Sequence, residues 1–248
     1  MPLMDEFKDE RERVKKQPFK KKLGYFWTYY KWFVICGIIA VIVIVTTVRS
    51  FINKKDYALY GVMLNGFLLS EEDTLASGFE EYAGIDQSQY TVSFNSTLSM
   101  SDNMDQNGVS ASQFIMVYIA ARDLDVAVMD PPRFAKYATS NTYMDLRELL
   151  DDKMLEQLSD KLYYVDSAVL QEIDALEDDT GSIEGIEIPD PSKPENMKDP
   201  IPIGINISEC KKFTDAYAYS SDEVYLGVVV NTKNRDLCLK LIQYLFSE

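Results

Sequence analysis

The run 32-WFVICGIIAVIVIVTTV-48 contains no charged residue, and its reading decides how the rest of the 248-residue chain is organised. As a helix, a run of that length covers roughly 25 Å, the short end for a hydrocarbon core of about 30 Å. Aromatic and apolar flanks at residues 25–32 and 51–52 make up the difference, in the manner of interfacial Tyr and Trp belts. The competing reading is a buried helix of a soluble core. A β-branched run whose only hydroxyls, Thr46 and Thr47, lie at its end favours a membrane span.

The span separates two oppositely charged parts. Residues 1–55 hold twelve Lys+Arg and five Asp+Glu, a net of +7, whereas residues 56–248 hold thirteen and thirty-five, a net of −22. Nine of the twelve basic residues precede the run, among them Lys15, Lys16, Lys20, Lys21, Lys22 and Lys31. Basic excess on one short flank places that flank in the cytoplasm. The expectation is therefore a basic cytoplasmic tail (1–24), a single-pass signal-anchor in the cell membrane (25–52) and an extracytoplasmic domain (56–248). A cleaved signal peptide fits less well, because no small-residue A-x-A-like site follows the run. Cys36 lies near its start, which also argues against a lipoprotein cleavage site. The lysines at 15–22 would rest against anionic headgroups, each contributing about 1 kcal/mol, although marking topology is their simplest role.

About 193 external residues are enough for one domain with a real core. A net of −22 makes nucleic acid a poor partner, since phosphate binding needs a basic footprint. The chain has no His, which removes His-based triads and most zinc chemistry. Neither a cofactor nor a metal is implied by any motif. Cys210 and Cys238 remain outside the span, and whether they pair does not follow from sequence.

Along the domain, residues 57–64 read as a strand broken by Asn65-Gly66, and a helix is expected from Ser70 to about Tyr82, ending at Gly84. Residues 90–94 alternate as a second strand. Residues 95–109 read as a loop, and 110–121 as a helix apolar nearly all round and therefore buried. The clearest strand is 124-LDVAVM-129; Asp130-Pro131-Pro132 ends it and opens a short helix through Tyr137. Two short helices are expected over 144–150 and 151–161. Residues 166–200 are acidic, carry Pro and Gly in their second half, and read as a surface insertion. Strands over 201–207 and 224–230 and an amphipathic helix over 236–246 close the chain. Strands alternating with helices predict a three-layer α/β domain with a mainly parallel sheet.

This order of elements, with 123-DLDVAVMD-130 followed by 131-PPRFAKYA-138, then 143-YMDLRELL-150 and the ending 224-VYLGVVVNTKNRDLCLKLIQYL-245, resembles one lobe of the extracellular solute-binding proteins of ABC importers. The resemblance covers residues 57–165 and 201–248 and implies one lobe of a periplasmic-binding-protein type II fold in a bacterial cell envelope. It implies a non-enzymatic binding module, whose partners are the membrane and either a small solute or an envelope protein. Two departures weigh on it. Thirty-five residues at 166–200 cannot build a second lobe, so the enclosing cleft of that family is missing. The family's usual anchor is a lipid-modified Cys, whereas here it is a helix.

Ligands of parallel α/β sheets approach the carboxyl ends of the strands. That points to Asn65, Asn95 and Asp130, with ordinary turn and cap chemistry as the competing role. Tyr219 belongs to a tyrosine-rich set, with Tyr163, Tyr164, Tyr217 and Tyr225, which could stack on a ligand or fill a core. Residues 103–108 have the oxygen spacing of half a calcium loop, but Phe114 stands where a bidentate carboxylate is needed. Glu177, Asp178 and Asp179 form an acidic run on the insertion that reads as a solvated surface. No nucleophile elbow, phosphate loop or paired Cys ligands occur, so enzyme is the least supported class. The alternative class is a structural or assembly component of a membrane complex.

Overall fold

In the computed structural model, the described residues are 19–52, 55–101, 105–180 and 186–247; side chains at 19–26, 28–30, 50–52 and 176–180 lie outside the description. The tail at 1–18, Asn103 and Met104 of the Asx-rich loop and the side chains of the 177–179 acidic run therefore fall outside it. Two compact units result, Met1–Lys54 and Lys55–Glu248.

The first unit contains one helix, α1 (Phe19–Ile52). Within it, Lys31–Arg49 has a mean hydropathy of 2.4, and none of it is buried. Phe33 and Ile44 are 76% and 61% exposed, which removes the buried-core alternative. Nineteen residues at 1.5 Å each span about 28 Å, enough to cross a hydrocarbon core. The Thr46 hydroxyl donates back to the carbonyls of Ile42 (2.9 Å) and Val43 (3.0 Å), so the helix backbone satisfies it without water.

The second unit runs β1 (Asp56–Met63), β2 (Phe67–Leu68), α2 (Thr74–Ala83), β3 (Tyr90–Asn95), α3 (Gln106–Ala121), β4 (Val126–Met129) and α4 (Pro131–Ala138). It continues through a 3-10 turn (Leu146–Glu148), α5 (Asp152–Gln157), β5 (Leu162–Asp166), α6 (Ser167–Thr180) and a second 3-10 turn (Pro194–Asn196). The last elements are β6 (Pro200–Asn206), α7 (Lys211–Thr214), β7 (Tyr217–Ala218), β8 (Tyr225–Val228) and α8 (Arg235–Phe246).

Six strands form one sheet in the order β3-β1-β4-β8-β6-β5, and β2 and β7 pair separately. The α/β class holds, but the expectation of a mainly parallel sheet is corrected: the sheet is mixed. β3, β1 and β4 are mutually parallel, while β4/β8, β8/β6 and β6/β5 are antiparallel. The cause is in the connections. α2 and α3 cross over between parallel strands, whereas the segment after β5 leaves and returns to the same end of the sheet, pairing Asp166 with Pro200.

Alternation on β1 fills both faces, as a central strand requires. Leu59 and Met63 join Leu75, Phe79, Leu241 and Ile242 on one side. Tyr60, Val62 and Leu64 join Ala111, Ile115, Phe134 and Tyr137 on the other. Cys210 and Cys238 are free thiols buried in the first of these clusters.

Other expectations also shift. α2 begins at Thr74 rather than Ser70, because the Asp73 carboxylate caps it from Leu75 N (3.1 Å) and Ala76 N (3.0 Å). It ends on the left-handed Gly84 as read. α3 starts at Gln106 under the Asp105 cap, inside the stretch read as a loop. It is not buried all round: Met116 and Val117 are 63% and 62% exposed. The helix expected over 151–161 stops at Gln157, and the stretch expected as a plain insertion is preceded by β5 and begins with α6.

Candidate functional site

Three of the four residues singled out from sequence, Asn65, Asp130 and Tyr219, line one cleft of about 460 Å³. It lies at the carboxyl ends of the three parallel strands. The turn after β1, the loop after β3 (residues 96–100), the first turn of α4 and the segment after β7 contribute its walls.

Asn65 adopts a left-handed backbone (φ 62°), which Asn tolerates better than most side chains. Its carboxamide staples the 96–100 loop by donating to the Met100 carbonyl (3.1 Å) and accepting from Met100 N (2.8 Å). It also approaches Asp130 Oδ2 at 3.4 Å. Asp130 caps α4, accepting from Arg133 N at 3.3 Å, and pairs with Arg133 Nη1 at 3.1 Å. Proline in the first turn of α4 is compatible with this cap because its missing N–H is one the helix would not use. The ion pair is sheltered, its side chains only 15% and 11% exposed.

Tyr219 forms the floor. Its hydroxyl donates to the Val128 carbonyl at 3.3 Å, and its ring lies 5.7 Å from that of Phe213. Burial, reinforced by the Asp130 carboxylate, holds the hydroxyl well above the usual phenol range. Gly66 passes close above it; a Cβ there would sit 2.8 Å from the Tyr219 hydroxyl. Tyr219 is therefore a wall residue rather than an exposed stacking platform.

Asn95 departs from the group. Its amide donates to the Tyr60 hydroxyl (3.0 Å), and its Oδ1 accepts from Thr97 N (2.9 Å) in an Asx turn. Asn95 does not line the cleft. The rest of the tyrosine set divides: Tyr163 and Tyr225 pack edge to face at 5.0 Å, and Tyr217 is fully buried.

The structure adds residues the sequence reading passed over: Arg133, Phe67 and the hydroxyl-bearing Ser96, Ser99 and Ser220. Arg133 could have been found from its spacing, since Asp130 and Arg133 sit three apart at a helix start. Phe67 follows an Asn-Gly turn and is 67% exposed at the cleft wall, a costly place for a phenyl ring in water. A broader depression of about 810 Å³ runs along α2 and the turn after it. Its Glu80 is already engaged by Val92 N (2.6 Å), Thr91 and Gln87, so it offers less convergent chemistry. Among the described residues, no three His, Cys, Asp or Glu side chains gather into a metal-binding set.

No protein-family model, curated protein or solved structure matches the chain.

Proposed function

We propose that the chain is a membrane-anchored binding module whose extracytoplasmic domain holds a small ligand in the cleft at the carboxyl ends of β1, β3 and β4. The observation that carries this reading is the convergence of Asn65, Asp130, Arg133 and Tyr219, from three separate segments, on one concavity. Its size falls within the roughly 300–1,000 Å³ typical of small-molecule sites. Helix crossovers join the three parallel strands in the order β3-β1-β4, and the cleft opens at their carboxyl ends, where ligands of α/β sheets bind.

Signal-anchor function for residues 31–49 is supported by the length of the apolar helix, by the absence of any buried residue in it and by the basic excess before it. A signal sequence would share the length and apolarity. Mass spectrometry of the membrane-bound protein separates them: a retained N-terminus supports the anchor, and a mature chain starting after residue 49 refutes it.

The binding test is thermal unfolding of residues 55–248, one compact unit, against sugars, amino acids, peptides and divalent cations. A ligand at about 100 times its Kd stabilises the fold by about 2.7 kcal/mol. A shift from one chemical class, lost in Arg133→Ala, supports the reading. Silence from every class favours the second one, docking of a protein partner. The exposed Phe67 and Leu69 (67% and 57%) beside the cleft are the feature that favours docking.

A further inference from the structure

α3 has no charged residue in its sixteen positions, in a chain of which 26% is charged. Gly108, Ala111 and Ile115 form its buried side. Gln106, Val109, Gln113, Met116 and Ala120 fall on the opposite side, and all are exposed, Val109 at 39% and Met116 at 63%. Their spacing of three, four, three and four residues is that of a coiled-coil seam, with Val117 (62% exposed) along its edge. A seam that turns valine and methionine to water marks a surface for another element to cover.

Charge returns at the two ends of the helix. Asp105 precedes it, exposed, with one oxygen spent on capping Gly108 N (2.9 Å). Arg122 and Asp123 follow it and are exposed as well. Asp123 pairs with Lys233 at 3.5 Å, whereas Arg122 makes no ion pair among the described residues. The helix therefore presents a carboxylate at one end and an unmatched cation at the other, about 25 Å apart along its axis.

We infer that this face is where two copies of the chain meet, the α3 of each packing antiparallel on the other about the Gln113–Met116 turn. The inference stands apart from the cleft and its ligand. Two observations choose a second copy as the occupant. Antiparallel pairing about the helix midpoint sets Asp105 of each helix beside Arg122 of the other, so the face supplies its own charge complement, as a two-fold interface requires. Parallel pairing would set like charges together at both ends. In addition, residues 56–248 carry a net −22, so two copies repel over most of their surface and approach at lowest cost where charge is absent. Within the seam, Val109 and Met116 supply apolar contact, while Gln106 and Gln113 are polar positions of the kind that fix register.

The test is cysteine cross-linking of the full chain in detergent micelles with a short bismaleimide. Cys36 is replaced by Ser, and Cys210 and Cys238 stay because both are buried. A face of sixteen residues is about 24 Å long, so covalent trapping suits it better than a mass measurement. Every introduced cysteine stands at an exposed position, which leaves the fold intact. The expected result is a covalent dimer from Gln113→Cys, which lies near the two-fold axis. Ala120→Cys alone should give none, since antiparallel pairing holds it about 18 Å along the axis from its own copy. Ala120→Cys co-expressed with Val109→Cys should cross-link, and adding Met116→Glu or Arg122→Glu to Gln113→Cys should remove most of the product. Absence of dimer from Gln113→Cys, or from the co-expressed pair, overturns the inference. Cross-linking of Ala120→Cys alone as strong as that of Gln113→Cys overturns it too, as does product that survives either added glutamate.

Discussion

Removing the carboxylate of Asp125 should cost the domain a large fraction of its stability. Asp125 begins the strand motif that ends at Asp130, is only 3% exposed, and faces three donors from distant segments. Tyr60 N donates to it at 2.8 Å, the Thr232 hydroxyl at 2.5 Å, and the Asn234 amide lies 3.2 Å from each oxygen. The group therefore ties β1, the start of β4 and the turn leading into α8 at one buried point. Asp125→Ala strands those donors away from water. Each unsatisfied buried group costs about 1–3 kcal/mol, so the sum is about 4 kcal/mol after partial rescue by entering water. Asp125→Asn keeps one acceptor oxygen but turns an N–H₂ toward another donor, and should cost about half as much. Urea unfolding of residues 55–248, followed by far-UV circular dichroism, measures both. Typical domains hold 5–15 kcal/mol in total, so Asp125→Ala should populate unfolded chain in mild denaturant. A loss under about 1 kcal/mol for the alanine variant, with an unchanged denaturant slope, would refute the claim that this carboxylate organises the junction.

Gly66→Ala places a methyl 2.8 Å from the Tyr219 hydroxyl; overpacking of this kind costs about 1–3 kcal/mol, and a crystal structure should show the Tyr219 ring displaced from Val128. Gly84→Ala meets no atom within 4 Å but forces a left-handed φ of 69° on alanine, so a loss of about 1 kcal/mol in Tm-derived stability is expected from backbone strain alone. Burial pushes the Cys210 thiol up to about 11 and the Cys238 thiol up to about 12, so in the folded domain at pH 8 both should react with a disulfide reagent only as fast as the structure opens. The same shifts, with burial raising Tyr163 to about 12, make these groups ionise earlier in the unfolded chain; their contribution is intact below about pH 9 and should fade as pH rises toward 12, visible as a falling Tm.

Where the sequence was legible, one local signal sufficed. Asp130-Pro131-Pro132 encodes both the end of β4 and the start of α4, because a carboxylate cap and N-terminal prolines have few other uses together. Gly84 ends α2 for the same kind of reason. β5 was hidden because Leu162, Tyr163, Tyr164 and Val165 form a short continuous apolar run, which periodicity does not separate from a buried helix. No Gly or Pro marks the end of α5 before it. β2 and β7, two residues each, are too short to have a period at all. Strand direction was equally hidden, since a strand buried on both faces has the same composition whichever way it runs. The exposure of Met116 and Val117 went unread because an apolar helix is ordinarily assigned to a core.

The candidate site was partly legible for a reason that also restrains its interpretation. The carboxyl ends of parallel strands are where turns begin, so residues suited to turns and caps gather at the same edge as residues suited to ligands. Asn95 makes an Asx turn and lies outside the cleft's lining. Asn65 and Asp130 hold both positions, and what decides between the roles is the hydrogen-bonding capacity left after the fold has used its share. A carboxylate has about four acceptor sites. At Asp130, Arg133 N, Arg133 Nη1 and Asn65 Nδ2 fill three. The Asn65 amide directs both donors inward, to Met100 and Asp130, and its oxygen takes Met100 N. Little remains on either residue for an ion. The cleft's other polar groups are the guanidinium of Arg133, its charge compensated by Asp130, and the hydroxyls of Ser96, Thr97, Ser99, Ser220 and Tyr219, set beside the exposed ring of Phe67. Such a lining suits a ligand recognised through its own hydroxyls or amides and one apolar face better than one recognised by net charge. It also means that Asn65 and Asp130 build the cleft, while Arg133, the serines and Phe67 are the groups a ligand would meet.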